Sequence, residues 1–256
     1  PQKIRGLIRK NELAGSTAGF APGFIQCNLL ILSARYADEF SAYCEKNPKV
    51  CPIISRSGPG EYSVPDLGRD LDLRTDLGRY CIFRLGKVIQ EANSIKEIWQ
   101  NDFVSFAYGC SFSFEYALLE EGVDLAYLRR GQREALYMTN IETTPLGRFG
   151  GRIVASMRPF HPNDAIKAIV VTEKYPRVHG APIHIGLPHI NSCIRCADGN
   201  RVFNQYILAL HRIEPVSAVG LFRASRPFSF NMPENNSICI LNFNGIALGV
   251  LNSESF

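Results

Sequence analysis

The stretch Phe106-Ala107-Tyr108-Gly109-Cys110-Ser111-Phe112-Ser113-Phe114-Glu115 decides how this chain is read. An apolar run (Phe103, Val104, Phe106, Ala107) ends at Gly109, small polar residues then alternate with aromatics, and an Ala-Leu-Leu pattern of helical type follows Glu115. Apolar strand, glycine turn and helix start in that order leave backbone N–H groups available to an anion. A thiol, two hydroxyls and a carboxylate lie within the six residues from Cys110 to Glu115. The stretch reads as the floor of a small-molecule site, with other polar clusters as its walls.

Working outward, the helix after the turn runs from Phe114 to Glu121 and stops at Gly122, a normal C-terminal signal. Upstream, residues 1–22 open with a basic, weakly amphipathic segment (Ile4, Leu7, Ile8). Then comes a small-residue loop, Ala14 to Gly23, suited to close backbone approach or to a plain packed glycine turn. Phe24 to Leu32 is a buried strand or helix start. Tyr36 to Tyr43 is a helix with Ala37, Phe40 and Tyr43 on one face. Asn47 to Pro52 is a turn before a short strand, Ile53 to Ser55. Asp70, Asp72, Arg74 and Asp76 alternate with leucines, which predicts an extended segment with the charges on one face, either solvated or lining the site. Tyr80–Phe83 and Lys87–Ile89 form a hairpin, and Ser94–Gln100 a short helix carrying Trp99. Leu136–Ile141 and Arg152–Pro159 are strands, and Ala165–Thr172 reads as a buried strand. His179 and His184 sit in a proline- and glycine-containing loop. The order of elements predicts a mixed α/β fold.

The totals exclude several classes. At 256 residues and 46% apolar content the chain has an ordinary globular core. Its net charge of +4 is scattered without a basic run, which gives no case for nucleic acid and leans towards a small anionic substrate. Eight cysteines in no small-domain pattern read as reduced thiols of an intracellular, cytoplasmic protein. No apolar stretch approaches membrane-spanning length. The first residue is Pro1, so a missing targeting segment would make the mitochondrial matrix an option. Homo-oligomerisation is left open.

Cys110 at a turn before a helix is a candidate nucleophile, because helix N-termini stabilise thiolates; a buried structural cysteine is the plainer alternative. Glu115 is either an acid–base group or a charge on the helix dipole. His179 and His184 are acid–base candidates. As zinc ligands they are weak, since Cys193 and Cys196 form a lone Cys-x-x-Cys, so no metal and no cofactor is expected. Walker, dinucleotide and Gly-x-Ser-x-Gly signatures are absent from the sequence.

Several motifs then combine. They are Thr17-Ala18-Gly19-Phe20-Ala21-Pro22-Gly23, Asn47-Pro48-Lys49-x-Cys51-Pro52, Asp72-x-Arg74-Thr75-Asp76-Leu77, Gly109 to Glu115, Thr139-Asn140-Ile141, Ser156-Met157-Arg158-Pro159 and Val178 to Gly186. Together they resemble the hydro-lyase family that includes YcsI-type proteins and the cyclase half of D-glutamate cyclase. The resemblance spans about residues 3–188. Met138 and Leu187 depart from it, and residues 189–256 form a divergent C-terminal segment. It implies a three-layer α/β/α sandwich with a smaller α+β portion, residues 1–188 forming two interleaved subdomains. It also implies a carbon–oxygen lyase, best represented by dehydration of D-glutamate to 5-oxo-D-proline.

Applied to that reaction, the residues take these expected roles. His179 or His184 is the base and Glu115 the proton donor. The N–H groups around Cys110 and Ser111 and the Ser113 hydroxyl hold the oxyanion. Arg74 and Arg158 clamp carboxylates, Asp72 or Asp76 holds the ammonium group, and Asn140 contacts substrate. A thioester on Cys110 is the covalent variant. The reading from another class is a non-catalytic carboxylate- or amide-binding module.

Overall fold

The computed structural model describes residues 1–15, 17–84, 87–130, 136–186, 207–210, 214–215 and 238–250. Its centre is β1 (Phe24–Ser33), whose residues are buried almost throughout. Ile25, Cys27, Leu29 and Ile31 enter one apolar cluster and Leu30 and Leu32 the other. A strand buried on both faces has no reason to alternate, which is why its sequence is a near-continuous apolar run. β2 (Ile53–Arg56), β3 (Tyr80–Arg84), β4 (Lys87–Ala92), β5 (Phe103–Gly109) and β11 (Ile238–Val250) complete a six-stranded sheet in the order β2-β5-β1-β11-β3-β4. β1 and β5 run antiparallel from Ser33↔Phe103 to Cys27↔Gly109, which sets the glycine turn beside Cys27.

A second sheet has the order β10-β7-β9-β8, with β6 also paired to β7. Its strands are β6 (Leu136–Glu142), β7 (Arg152–Phe160), β8 (His184–Gly186), β9 (Ile207–Leu210) and β10 (Glu214–Pro215). The strands β9, β10 and β11 all come from beyond residue 188, so backbone pairing ties that segment into both sheets.

Five helices accompany the sheets among the described residues: α1 (Gln2–Arg9), α2 (Ala34–Lys46), α3 (Phe112–Glu120), α4 (Ala126–Arg129) and α5 (Pro162–Glu173). From α2, Tyr36, Phe40, Tyr43 and Cys44 enter the cluster that contains Leu30 and Leu32. Phe40 meets Phe106 edge-on at 4.9 Å and Phe149 at 5.2 Å. Phe114 and Leu118 of α3 and Ala165, Ala168 and Val171 of α5 enter the other cluster. Each large side chain buried in this way contributes about 1.5–3 kcal/mol. The result is a mixed α/β fold with helices packed against both apolar clusters.

Three local expectations are corrected. Residues 165–172 lie in a helix, not a buried strand: Pro162 starts it, Ala165, Ala168 and Val171 face inward, and Ile166 and Val170 are exposed. Residues 70–76 form turns rather than an extended segment. The Asp72 carboxylate accepts from the Arg74 N–H at 2.9 Å, and the Asp76 N–H donates to the Asp72 carbonyl at 3.0 Å. Aspartate side chains that bond the backbone two residues on favour such turns, while Leu71, Leu73 and Leu77 still reach the core. The helix expected at Ser94–Gln100 is a 3₁₀ turn, Lys96–Ile98.

Candidate active site

The turn after β5 is fixed from several sides. A Cβ on Gly109 would collide with the Arg177 carbonyl oxygen and with Val178, so only glycine lets that backbone lie against the turn. The Gly109 N–H donates to the Pro52 carbonyl at 2.9 Å, and the Cys110 N–H to the Gln26 carbonyl at 3.0 Å. The Ser113 hydroxyl accepts from the Gln26 N–H at 2.8 Å and donates to the Gln26 carbonyl at 3.1 Å. Gln26 reaches on to the small-residue loop, where the Thr17 hydroxyl donates to its Oε1 at 2.7 Å. Two groups expected to hold an oxyanion, the Cys110 N–H and the Ser113 hydroxyl, are thus engaged with Gln26.

Beside this turn, β7 presents Ser156 and Arg158, two residues apart and therefore on one face. Arg158 is 2% exposed and Glu115 4%. Arg158 Nη2 donates to Glu115 Oε1 at 2.6 Å and to Ser111 Oγ at 3.3 Å, and Nη1 donates to Ser156 Oγ at 2.8 Å. The guanidinium carbon lies 5.9 Å from the Phe114 ring centre and 5.8 Å from that of Tyr127. A guanidinium only donates, so both serine oxygens act as acceptors here. Among the described residues neither hydroxyl donates in turn. A buried donor with no acceptor costs about 1–3 kcal/mol, and buried ion pairs add little net stability. The arrangement fits a site better than a staple.

His179 is 1% exposed and holds φ +84°, ψ −19°, a conformation that costs a non-glycine residue on the order of 1–3 kcal/mol. Its Nδ1 lies 3.0 Å from the Lys49 carbonyl oxygen. A carbonyl can only accept, so Nδ1 carries the proton, and in the neutral ring Nε2 is the basic nitrogen. The turn bearing Lys49 is anchored by Asn47, whose side chain donates to the Tyr43 and Thr144 carbonyls and accepts from the Thr144 N–H, each at 2.8 Å. His179 follows directly on Arg177 and Val178, the pair packed over Gly109. His184 stands differently. Through β9 it is in register with Met157, one position from Arg158, which assigns it to the opposite face of that sheet.

Cys110 is fully buried beside Cys27. Burial pushes the Cys27 thiol well above its ordinary value, and the neighbouring Cys110 pushes it the same way. Among the described residues no group of three or more His, Cys, Asp or Glu side chains is placed to hold a metal ion.

Asp72, Arg74 and Asp76 belong to a second cluster built with α1. Asp76 is fully buried and accepts from Arg9 Nε and Nη2, both at 2.6 Å, from the Asp72 N–H at 2.9 Å and from the Thr75 hydroxyl at 3.0 Å. Arg5 pairs with Asp70, and Arg9 also donates to the Asp70 carbonyl. Arg74 closes on Asp72 at 2.8–2.9 Å and lies over the Tyr62 ring. The side chain of Asn140 lies outside the described residues, as do Leu187 and the side chain of Met138. Sequence reasoning gave no role to Ser156, Gln26 or Thr17. The signals were there: Ser156 is two residues from Arg158 on one strand, and Gln26 is a polar residue in an apolar run.

The D-glutamate cyclase family profile matches residues 104–202, the span holding Ser111, Glu115, Ser156, Arg158, His179 and His184. A protein of Bradyrhizobium diazoefficiens named "Putative hydro-lyase blr2921" is 48% identical over 190 residues, 74% of this chain and 70% of that protein. The chain belongs to this hydro-lyase family. A second protein, named "Putative hydro-lyase", from Azorhizobium caulinodans, is 47% identical over 185 residues, 72% of this chain and 68% of that protein. A third, from Rhodopseudomonas palustris strain TIE-1, is 51% identical over 188 residues, 73% of this chain and 69% of that protein. The D-glutamate cyclase profile match continues to residue 202, past residue 188, up to which the motif resemblance extends. Among solved structures, a nitrogen repressor-like protein MJ0159 from Methanococcus jannaschii aligns with a TM-score of 0.36 at 14% identity, over 84% of this chain and 85% of that one, too low a likeness to inform the fold. No helix among the described residues is long and apolar enough to cross a membrane.

Proposed function

We propose that this chain is a carbon–oxygen lyase acting on a small amino-dicarboxylate, with D-glutamate cyclising to 5-oxo-D-proline and water as its reaction. The observation that carries the reading is the buried Arg158–Glu115 pair with Ser111 and Ser156, set against the glycine turn within the span matched by the D-glutamate cyclase profile. The three-layer sandwich implied by the resemblance is part of the same proposal.

In the cyclisation the amine nitrogen bonds to the γ-carboxyl carbon and one carbon–oxygen bond breaks. The ammonium group gives up two protons, both of which leave on the departing oxygen as water, so net charge is unchanged. His179 Nε2 takes the role of base at the amine, since Nδ1 is committed to the Lys49 carbonyl. Glu115, a carboxylate accepting from Arg158 in this structure, passes a proton to the departing oxygen only after taking one that the ammonium group gives up. Asp72, Arg74 and Asp76 are given a structural part, because their charges are committed to one another and to α1.

The test is incubation of the full chain with D- and L-glutamate, following 5-oxoproline by mass spectrometry. Product from the D-isomer alone is expected. Binding of D-glutamate without product would favour the non-catalytic carboxylate-binding reading. Cys110→Ala is expected to keep most of the turnover, and a loss beyond about 100-fold would move the mechanism to a thioester on Cys110.

A further inference from the structure

We propose that the hydroxyls of Ser111 and Ser156, held as acceptors by the one Arg158 guanidinium, turn their protons to a single ligand oxygen and form the oxyanion cradle of the site. Both residues are fully buried. Ser111 Oγ accepts from Nη2 and Ser156 Oγ from Nη1, so the two lie on adjacent ends of one planar group. Because nitrogen protons occupy a lone pair on each oxygen, each hydroxyl proton points away from the guanidinium. Among the described residues no acceptor meets either proton, whereas the neighbouring Ser113 hydroxyl both accepts and donates. Serine therefore does more at positions 111 and 156 than fill space: two O–H groups are oriented, and neither is committed among the described residues.

The charge balance says which oxygen suits them. Glu115 already neutralises Arg158 at 2.6 Å, so the pair offers no net positive charge to a resting carboxylate. Two oriented hydroxyl dipoles in a water-excluded setting favour an oxygen that becomes negative during reaction, the oxyanion formed when nitrogen adds to a carboxyl carbon. Arg158 then acts through the serines as a positioning residue, not as a clamp on substrate. The cradle deepens the hydro-lyase reading and rests on it for the choice of ligand.

The experiment compares the full-length chain with Ser111→Ala and Ser156→Ala in three readouts: melting temperature alone, its rise with 5-oxo-D-proline, and 5-oxoproline formation from D-glutamate. The expected result is an unliganded melting temperature within about 3 °C of the parent, loss of the ligand-induced rise, and a kcat/KM about 100-fold lower. Ser156→Thr, which keeps the hydroxyl, restores most of the rate. Should an alanine variant not fold, Ser156→Cys keeps the volume and exchanges O–H for a weak S–H donor, and the same loss is expected. Variants that respond and turn over like the parent overturn the cradle and leave the hydro-lyase reading standing. So does a lower melting temperature with ligand response and rate intact, which makes the serines packing elements. If the parent binds 5-oxo-D-proline without turnover and the variants lose that binding, the cradle stands and the lyase reading fails. A parent that responds to neither compound overturns both.

Discussion

Arg158 with Glu115, and Arg5 and Arg9 with Asp70 and Asp76, are both clusters of arginine and carboxylate, yet they distribute their hydrogen bonds differently. Around Asp76 two guanidinium nitrogens, one backbone N–H and the Thr75 hydroxyl all converge on one buried carboxylate. All four of these donors belong to the chain itself, and α1 is fastened to a loop more than sixty positions away. Around Arg158 the donors end on one carboxylate and two hydroxyls, and those hydroxyls pass nothing on within the described residues. The Asp76 cluster acts as a fastening, its bonds joining α1 to residues 70–76. The Arg158 cluster leaves two hydroxyls without an acceptor among the described residues. Counting charges would not separate them; following each proton to its acceptor does.

The largest effect that sharpens this contrast is expected from Arg158→Met. It should lower 5-oxoproline formation by at least about 1,000-fold, beyond the loss expected of a single oxyanion donor. It should also cost about 3–5 kcal/mol in urea unfolding, because Glu115 is left charged and buried. Adding Glu115→Gln should recover part of that stability and none of the turnover. Asp76→Asn comes next. It is expected to cost about 2–3 kcal/mol of stability through its weakened charge-assisted bonds, while the rate per folded molecule stays within about threefold. A large rate loss in this variant with stability intact would move the Asp76 cluster into the site and break the comparison.

The smallest effect concerns acid. Partial burial pushes the Asp70 carboxyl up, but the Arg5 guanidinium outweighs it and holds the group below the usual carboxylate range; Arg74 does the same for Asp72. A carboxyl lowered by folding contributes stability that is present above its unfolded value, about 3.9, and lost as pH falls through the lower folded value. Stability should therefore decline as pH drops below about 4, and Asp72→Asn should make that decline shallower in urea titrations. An unchanged slope would remove Asp72 from the fastening.

The elements that the sequence announced are those whose burial repeats locally. β1 is a near-continuous apolar run, α2 repeats its inward face through Phe40 and Tyr43, and the β3–β4 hairpin is bounded on both sides. α5 was hidden because Ile166 and Val170 are apolar yet exposed, which blurs a helical stripe into a run. The turns at 70–76 were hidden because Asp-Leu alternation imitates a strand. Mixed α/β character and the strand–glycine turn–helix that floors the candidate site were legible for the same local reasons. Which arginine meets which carboxylate was not: Arg158 and Glu115 are 43 residues apart and Arg9 and Asp76 67 apart, so only tertiary packing brings them together. Glu115 lies about one helical turn after Ser111 along the chain, but nothing local says that both turn to Arg158.

The position of β11 carries a consequence for how the chain is made. It lies between β1 and β3, and its first residue comes 205 positions after the last of β1 (238 − 33). At a translation rate of about 5–20 residues per second, β1 waits roughly 10–40 s for the strand that joins it to β3. Until then the β2-β5-β1 and β3-β4 blocks are separate, each with an open hydrogen-bonding edge where the middle of the sheet belongs. A ribosome that stops before residue 238 would release a chain with both edges exposed. The burden of that interval falls on whatever shields nascent strands from one another.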